Sequence, residues 1–206
     1  MDCILQEPAY PTGCESVSTV MALQYLGFDI SCDDFIEKYL DTTRDWSLFN
    51  IYQEPDILFN HYFFGNPASS SGWLCFPPVI KEAVEEYFME ISCQDWECID
   101  MTGSEFDDLL EEINQGYPCV IWVSNGYVKL QRHEYDWGHY YTPSHTVLLK
   151  GYSKEEDSVF IADPLDGNLT IEQSIVEELY NTYEKKCIVI KKRPQTVTIH
   201  APLGRS

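Results

Sequence analysis

Apolar residues recur at helical spacing over 14–26, where Val17, Val20, Met21 and Tyr25 fall on one face and Gly27 supplies a C-terminal stop. A shorter helix starts at Ser31, with Phe35, Ile36, Tyr39 and Leu40 on its apolar side. Val79, Ile80, Ala83, Val84 and Tyr87 mark a third helix directly after Pro77 and Pro78. A fourth runs over about 104–115, with Phe106, Leu109, Leu110 and Ile113 on one face and Gly116 as its stop. Thr102 and Glu105 have capping-box spacing ahead of it. The period then changes. Residues 119–123, 146–152 and 159–164 read as strands, the last two joined into a hairpin by the polar turn at Lys154, Glu155, Glu156 and Asp157. Residues 171–183 read as helix and 187–190 as a final strand. Helices followed by an antiparallel sheet predict an α+β fold.

Two stretches break this pattern. Residues 41–78 are aromatic and carry Pro55, Gly65, Pro67, Gly72, Pro77 and Pro78, which reads as a long irregular insertion, a form often used as a binding rim. Residues 132–141 are aromatic and read as a loop.

The 206 residues, 44% hydrophobic and 23% charged, suit one globular domain over 1–206 with a sizeable core. Thirteen Lys and Arg against 34 Asp and Glu give a net charge of −21, which argues against nucleic acid and against an anionic membrane surface. No apolar run approaches the ~18–20 residues of a membrane span. The start at Met1, Asp2 and Cys3 lacks a basic, apolar leader, so the expectation is a cytoplasmic protein if the chain is complete and a secreted one if it is trimmed. The eight cysteines include no C-x-x-C pair and are expected as free thiols.

Chemistry enters at Cys14, placed between Gly13 and the strongest helix of the chain. A helix N-terminus favours thiolate over thiol, and a thiolate beside a base is a nucleophile. His145, directly before a buried strand, is the candidate base. Asp163, at the far end of the next strand, can reach its ring and hold one imidazole tautomer. Gln6 can place an amide donor beside the thiolate, where an oxyanion forms.

These residues carry a family resemblance. Gln6 and Cys14, the run from Tyr10 through Gly27 around the nucleophile, the run from Ser144 to Tyr152, and Ala162-Asp163-Pro164 resemble the papain-like cysteine peptidase family 39 and its stand-alone relatives. The resemblance spans roughly residues 3–190. It implies a papain-like fold, the nucleophile helix packed on a C-terminal antiparallel sheet, with Cys14 as nucleophile, His145 as base, Asp163 as orienter and Gln6 in the oxyanion hole. It implies hydrolysis of a peptide or small amide without a cofactor. Relatives fused to exporters cut leader peptides after a double glycine, and this chain shows no transporter segment.

Other readings compete at each position. A cysteine on a helix is more often core than catalytic, and Asp163 before Pro164 could merely start a turn. Asp166 is a second carboxylate close by, and Asn125 or Asn168 could set the His145 tautomer instead. His133, His139 and His145 have no metal-ligand spacing, so no metal is expected. Trp46, Trp73, Trp137, Tyr140 and Tyr141 pack under the long loops or line a cleft, with Trp73 and Tyr140 the candidate substrate contacts. At the level of function the rivals are an acyltransferase or non-peptide amidase on the same site, and an inactive papain-like binding module.

Overall fold

The structure, a computed structural model, describes residues 2–48, 57–136 and 138–194. Its centre is a six-stranded sheet, antiparallel throughout, formed by β3 (Trp96–Asp100), β4 (Cys119–Ser124), β7 (Ser144–Ser153), β8 (Ser158–Asp163), β9 (Gly167–Glu172) and β10 (Cys187–Lys192) in the order β3-β10-β4-β7-β8-β9. The helices are α1 (Cys14–Tyr25), α2 (Cys32–Lys38), α3 (Ile57–His61), α4 (Pro77–Glu90), α5 (Phe106–Asn114) and α6 (Gln173–Thr182). None of the described helices is long and apolar enough to cross a membrane.

Helix α1 lies against β7 and β4 and is buried almost all round, from Glu15 to Leu23. Small side chains make this close approach possible. Ser18 donates to the Thr146 carbonyl of β7 at 3.0 Å, and Thr19 returns its hydroxyl to the Glu15 carbonyl at 2.7 Å, so these buried hydroxyls are satisfied. Strand β4 is buried at all six positions, which explains its unbroken apolar run.

Five features differ from the sequence reading. Residues 131–142 form a hairpin of β5 (Gln131–Tyr135) and β6 (Gly138–Thr142), not a loop. Its aromatic rings pack within and behind the hairpin, so it lacks the aliphatic alternation that marks a core strand. Residues 171–172 belong to edge strand β9 rather than to the following helix, and β3 is a strand the sequence did not suggest. Both lie at sheet edges, β9 half-exposed at alternate positions and β3 with Cys98 as its one fully buried residue, so their apolar signal is thin. The cap of α5 sits three residues later than read, with the Glu105 N–H donating to Asp108 Oδ2 at 2.9 Å. Finally, the irregular stretch over 41–78 contains β1 (Thr42–Thr43) paired in parallel with β2 (Phe63–Phe64), as well as α3, while Pro55 and Trp137 lie outside the described residues.

Strand β7 is longer than β8 at the end nearest α1. It pairs with β4 from Ser144 onward, whereas its ladder to β8 starts only at Leu148, opposite Ala162. The two strands part there, and the N-terminal segment docks at the opening. Gln6 donates its backbone N–H to the Pro164 carbonyl at 2.8 Å, and the Cys3 thiol reaches the Asp163 carbonyl at 3.3 Å.

Candidate active site

His145 is the second residue of β7, inside the strand rather than ahead of it, and pairs with Val123. Continuing the β7–β8 register one step puts Asp163 opposite Val147, on the same face as His145 and diagonal to it. That diagonal is closed by a hydrogen bond of 2.7 Å between His145 Nε2 and Asp163 Oδ1, with both side chains buried.

The carboxylate is held from several directions. Oδ1 also accepts the N–H groups of Leu165 at 2.8 Å and Asp166 at 3.3 Å, and Oδ2 accepts the Tyr127 hydroxyl at 2.8 Å. Burial alone would push the Asp163 carboxyl up, but the bonds from His145, Leu165 and Tyr127 outweigh it and hold the group below the usual carboxylate range. Asp166 gives Asp163 its backbone N–H, from the turn between β8 and β9. Tyr127 was not singled out by sequence. It sits in a single 3-10 turn after β4 with φ of 54°, and the Asn125–Gly126 turn signal preceding it was the one local clue.

A cleft of about 230 Å³ gathers Gln6, Cys14, Glu15, Trp73, Tyr141 and His145. A larger surface groove of about 380 Å³, lined by Tyr25, Lys150 and Phe160, holds no nucleophile and base. Cys14 begins α1, so its N–H has no acceptor within the helix. The approach to it is clamped. Thr12 donates its hydroxyl to the Ser69 carbonyl at 3.0 Å and its N–H to the Pro67 carbonyl at 3.2 Å, which ties the 66–72 loop to the residues just before the nucleophile helix. Gln6 donates Nε2 to the Pro11 carbonyl at 3.1 Å, leaving that nitrogen a second N–H, while its buried Oε1 has no partner among the described residues.

The Cys14 thiol departs from expectation. Among the described residues no hydrogen bond joins it to His145. It donates to Glu15 Oε2 at 3.3 Å and borders Thr146. Burial and the Glu15 carboxylate push the thiol well above its ordinary range, the reverse of what the helix N-terminus alone predicts. The sequence reading passed over Glu15, a buried acid adjoining the nucleophile.

Of the two candidate substrate contacts, Trp73 lines the cleft, and Tyr140 packs behind it edge to face at 4.8 Å between ring centroids. Tyr141 is the neighbour that faces the cleft, with its hydroxyl on Glu184 at 3.1 Å. His133, His139 and His145 bond three different groups, namely Thr142, Glu184 and Asp163.

The Peptidase_C39 like family profile matches residues 1–188, nearly the whole chain. The chain belongs to that family. In structure it is similar to a Bacillus anthracis protein classed with the C39-like peptidases, at a TM-score of 0.76 and 21% identity, covering 94% of this chain and 95% of the other. That likeness shows a C39-like peptidase fold, the mixed helix and antiparallel sheet described above. Weaker likenesses link it to the peptidase domain of Streptococcus ComA, a bifunctional ABC transporter involved in quorum sensing (TM-score 0.48, 12% identity, 94% and 98% covered). The same holds for a double-glycine-motif protease from an AMS/PCAT transporter solved with the leader peptide (TM-score 0.45, 15% identity, 95% and 93% covered). No curated protein matches the sequence.

Proposed function

We propose that this C39-like family member is a cysteine peptidase in which Cys14 is the nucleophile, His145 the general base, Asp163 the orienter and Gln6 an oxyanion donor. The observation that carries this reading is the buried His145–Asp163 pair, placed in the same cleft as a cysteine at a helix N-terminus. Asp163 occupies Nε2, so Nδ1 is the ring nitrogen left to take the thiol proton. The Cys14 sulfur then attacks the substrate carbonyl. The oxyanion that forms is met by the Cys14 N–H and the free N–H of Gln6 Nε2. His145 passes its proton to the leaving amine, the acyl group stays on sulfur, and water activated by His145 releases it. Trp73 and Tyr141 offer an apolar wall to the substrate.

A peptide library incubated with the parent, Cys14→Ala and His145→Ala proteins tests the reading. Hydrolysis is expected from the parent and a loss of at least about 10³-fold from either variant. Cleavage that survives Cys14→Ala would sink the assignment.

A further inference from the structure

Glu15 is a buried carboxyl, 1% exposed, and among the described residues it has no ion pair with Lys or Arg. Buried acids are retained when they are paired or hydrogen-bonded. Its bonds are unusual in kind. Oε1 accepts the Cys75 N–H at 3.2 Å, from the segment leading into α4, and the carboxylate also takes its own backbone N–H. Oε2 accepts the thiol of Cys14 at 3.3 Å. The carboxyl is thus anchored on one oxygen and turned onto the sulfur with the other.

We propose that Glu15 is a positioning residue that decides when Cys14 can ionise. This rests on the reading of Cys14 and His145 as nucleophile and base. As a carboxylate, Glu15 holds the thiol proton on sulfur, and a thiolate formed beside it would meet a like charge. As a neutral acid, with a proton taken from solvent on Oε2, it donates a hydrogen bond to the thiolate. The thiol proton then goes to His145 Nδ1, leaving thiolate, imidazolium and neutral acid, one proton each accounted for.

The titratable groups that act on Glu15 are Cys14 on its own helix, Cys75 before α4 and Tyr183 after α6, and His145 of β7 lines the same cleft. Burial keeps Cys75 and Tyr183 protonated. Burial also pushes the Glu15 carboxyl up to about 7, against the pull of its backbone bonds, so its charge changes near neutrality. The enzyme of this reading is armed on the acid side of neutrality and restrained on the alkaline side.

Iodoacetamide alkylation of Cys14, followed by mass spectrometry across a pH series, tests this without any substrate. Glu15→Gln keeps an acceptor for the Cys75 N–H and removes the charge. At about pH 8 the variant is expected to react about tenfold faster than the parent, the ratio given by a thiol pKa one unit lower. At about pH 5.5, where Glu15 of the parent is already neutral, the two are expected to agree within about threefold. An equal ratio at both values, or a slower variant at about pH 8, overturns the proposal. If Glu15→Gln does not fold, the parent decides alone. Its Cys14 rate should flatten between about pH 6 and 8, and a steady tenfold rise per pH unit refutes the idea. Failure of the catalytic reading looks different: at about pH 5.5, where Glu15 is neutral, Cys14 would label no faster than Cys3 or Cys93, and Cys14→Ala would still hydrolyse peptide.

Discussion

At the scale of single residues, Asp163 carries the most information. One oxygen takes the histidine and two turn N–H groups while the other takes Tyr127, so the carboxylate can neither rotate nor easily protonate. Asp163→Asn replaces an acceptor with a group that can present N–H to His145 and favours the wrong tautomer. Peptide hydrolysis should fall by orders of magnitude with circular dichroism unchanged. Asp166→Asn should leave the rate within about twofold, because the backbone N–H that reaches Asp163 survives the change. Tyr127→Phe removes one bond to a charged group, worth about 1.5–3 kcal/mol, and should lower kcat/KM by about ten- to a hundredfold. Its alkylation rate at Cys14 should stay near the parent's, since Tyr127 touches Asp163 and not the sulfur. Equal rates for Asp163→Asn and the parent would mean that some other group sets the imidazole.

At the scale of elements, the loop over 66–72 leads into Trp73 and Leu74, and strand β6 of the hairpin carries Tyr141 and Thr142, all four on the wall of the cleft. Composition marks the first as a loop, yet its role comes from Thr12, which lies against its carbonyls. Gly72 is there because nothing larger fits: a Cβ at that position would stand 2.1 Å from Thr12 Oγ1 and 2.5 Å from the Asn66 carbonyl oxygen. Gly72→Ala must move either the loop or Thr12. Thermal unfolding should show a loss of about 1–3 kcal/mol, with KM raised as the entry to α1 shifts. A variant as stable and as active as the parent would show that the clamp is dispensable. The hairpin is pinned from the far side by Glu184, which accepts from His139, Tyr141 and Lys186. Pairing by those three donors, together with the ring packing, holds a surface ribbon that has almost no aliphatic core of its own.

At the scale of the whole molecule, two buried carboxyls pull stability in opposite directions with pH. Asp163 is depressed, so its contribution is present above its unfolded value and is lost as pH falls through the folded one. Glu15 is raised from 4.5 to about 7 in the fold, so between those values the folded state binds more protons than the unfolded chain and stability declines as pH rises. The net charge of −21 adds self-repulsion in the same alkaline direction. The parent is therefore expected to unfold at a lower temperature at about pH 8 than at about pH 5. Glu15→Gln should recover part of that difference at about pH 8 and none at about pH 5. Calorimetry on both proteins checks this, and a variant that loses stability equally at both values would show that the carboxylate is needed for packing.

The sequence alone determined the elements whose signal is local and long: α1 with its Gly27 stop and the buried strands β4 and β7. It also offered Gln6, Cys14, His145 and Asp163 as candidates, because a cysteine at a helix start and a histidine just before a buried strand are conspicuous in one dimension. Edge strands β3 and β9 and the aromatic hairpin escaped it, since a half-exposed strand carries few apolar positions to count. What holds the candidate site together was decided only in three dimensions. The link from Asp163 to His145 follows from where β8 parts from β7, 18 residues away along the chain, and Tyr127 arrives from 36 residues away. Glu15 looks like an ordinary acidic residue in the first turn of a helix. Only the packing of Cys75 and β7 around it removes water, leaves the carboxyl without a cation among the described residues, and turns it onto the sulfur.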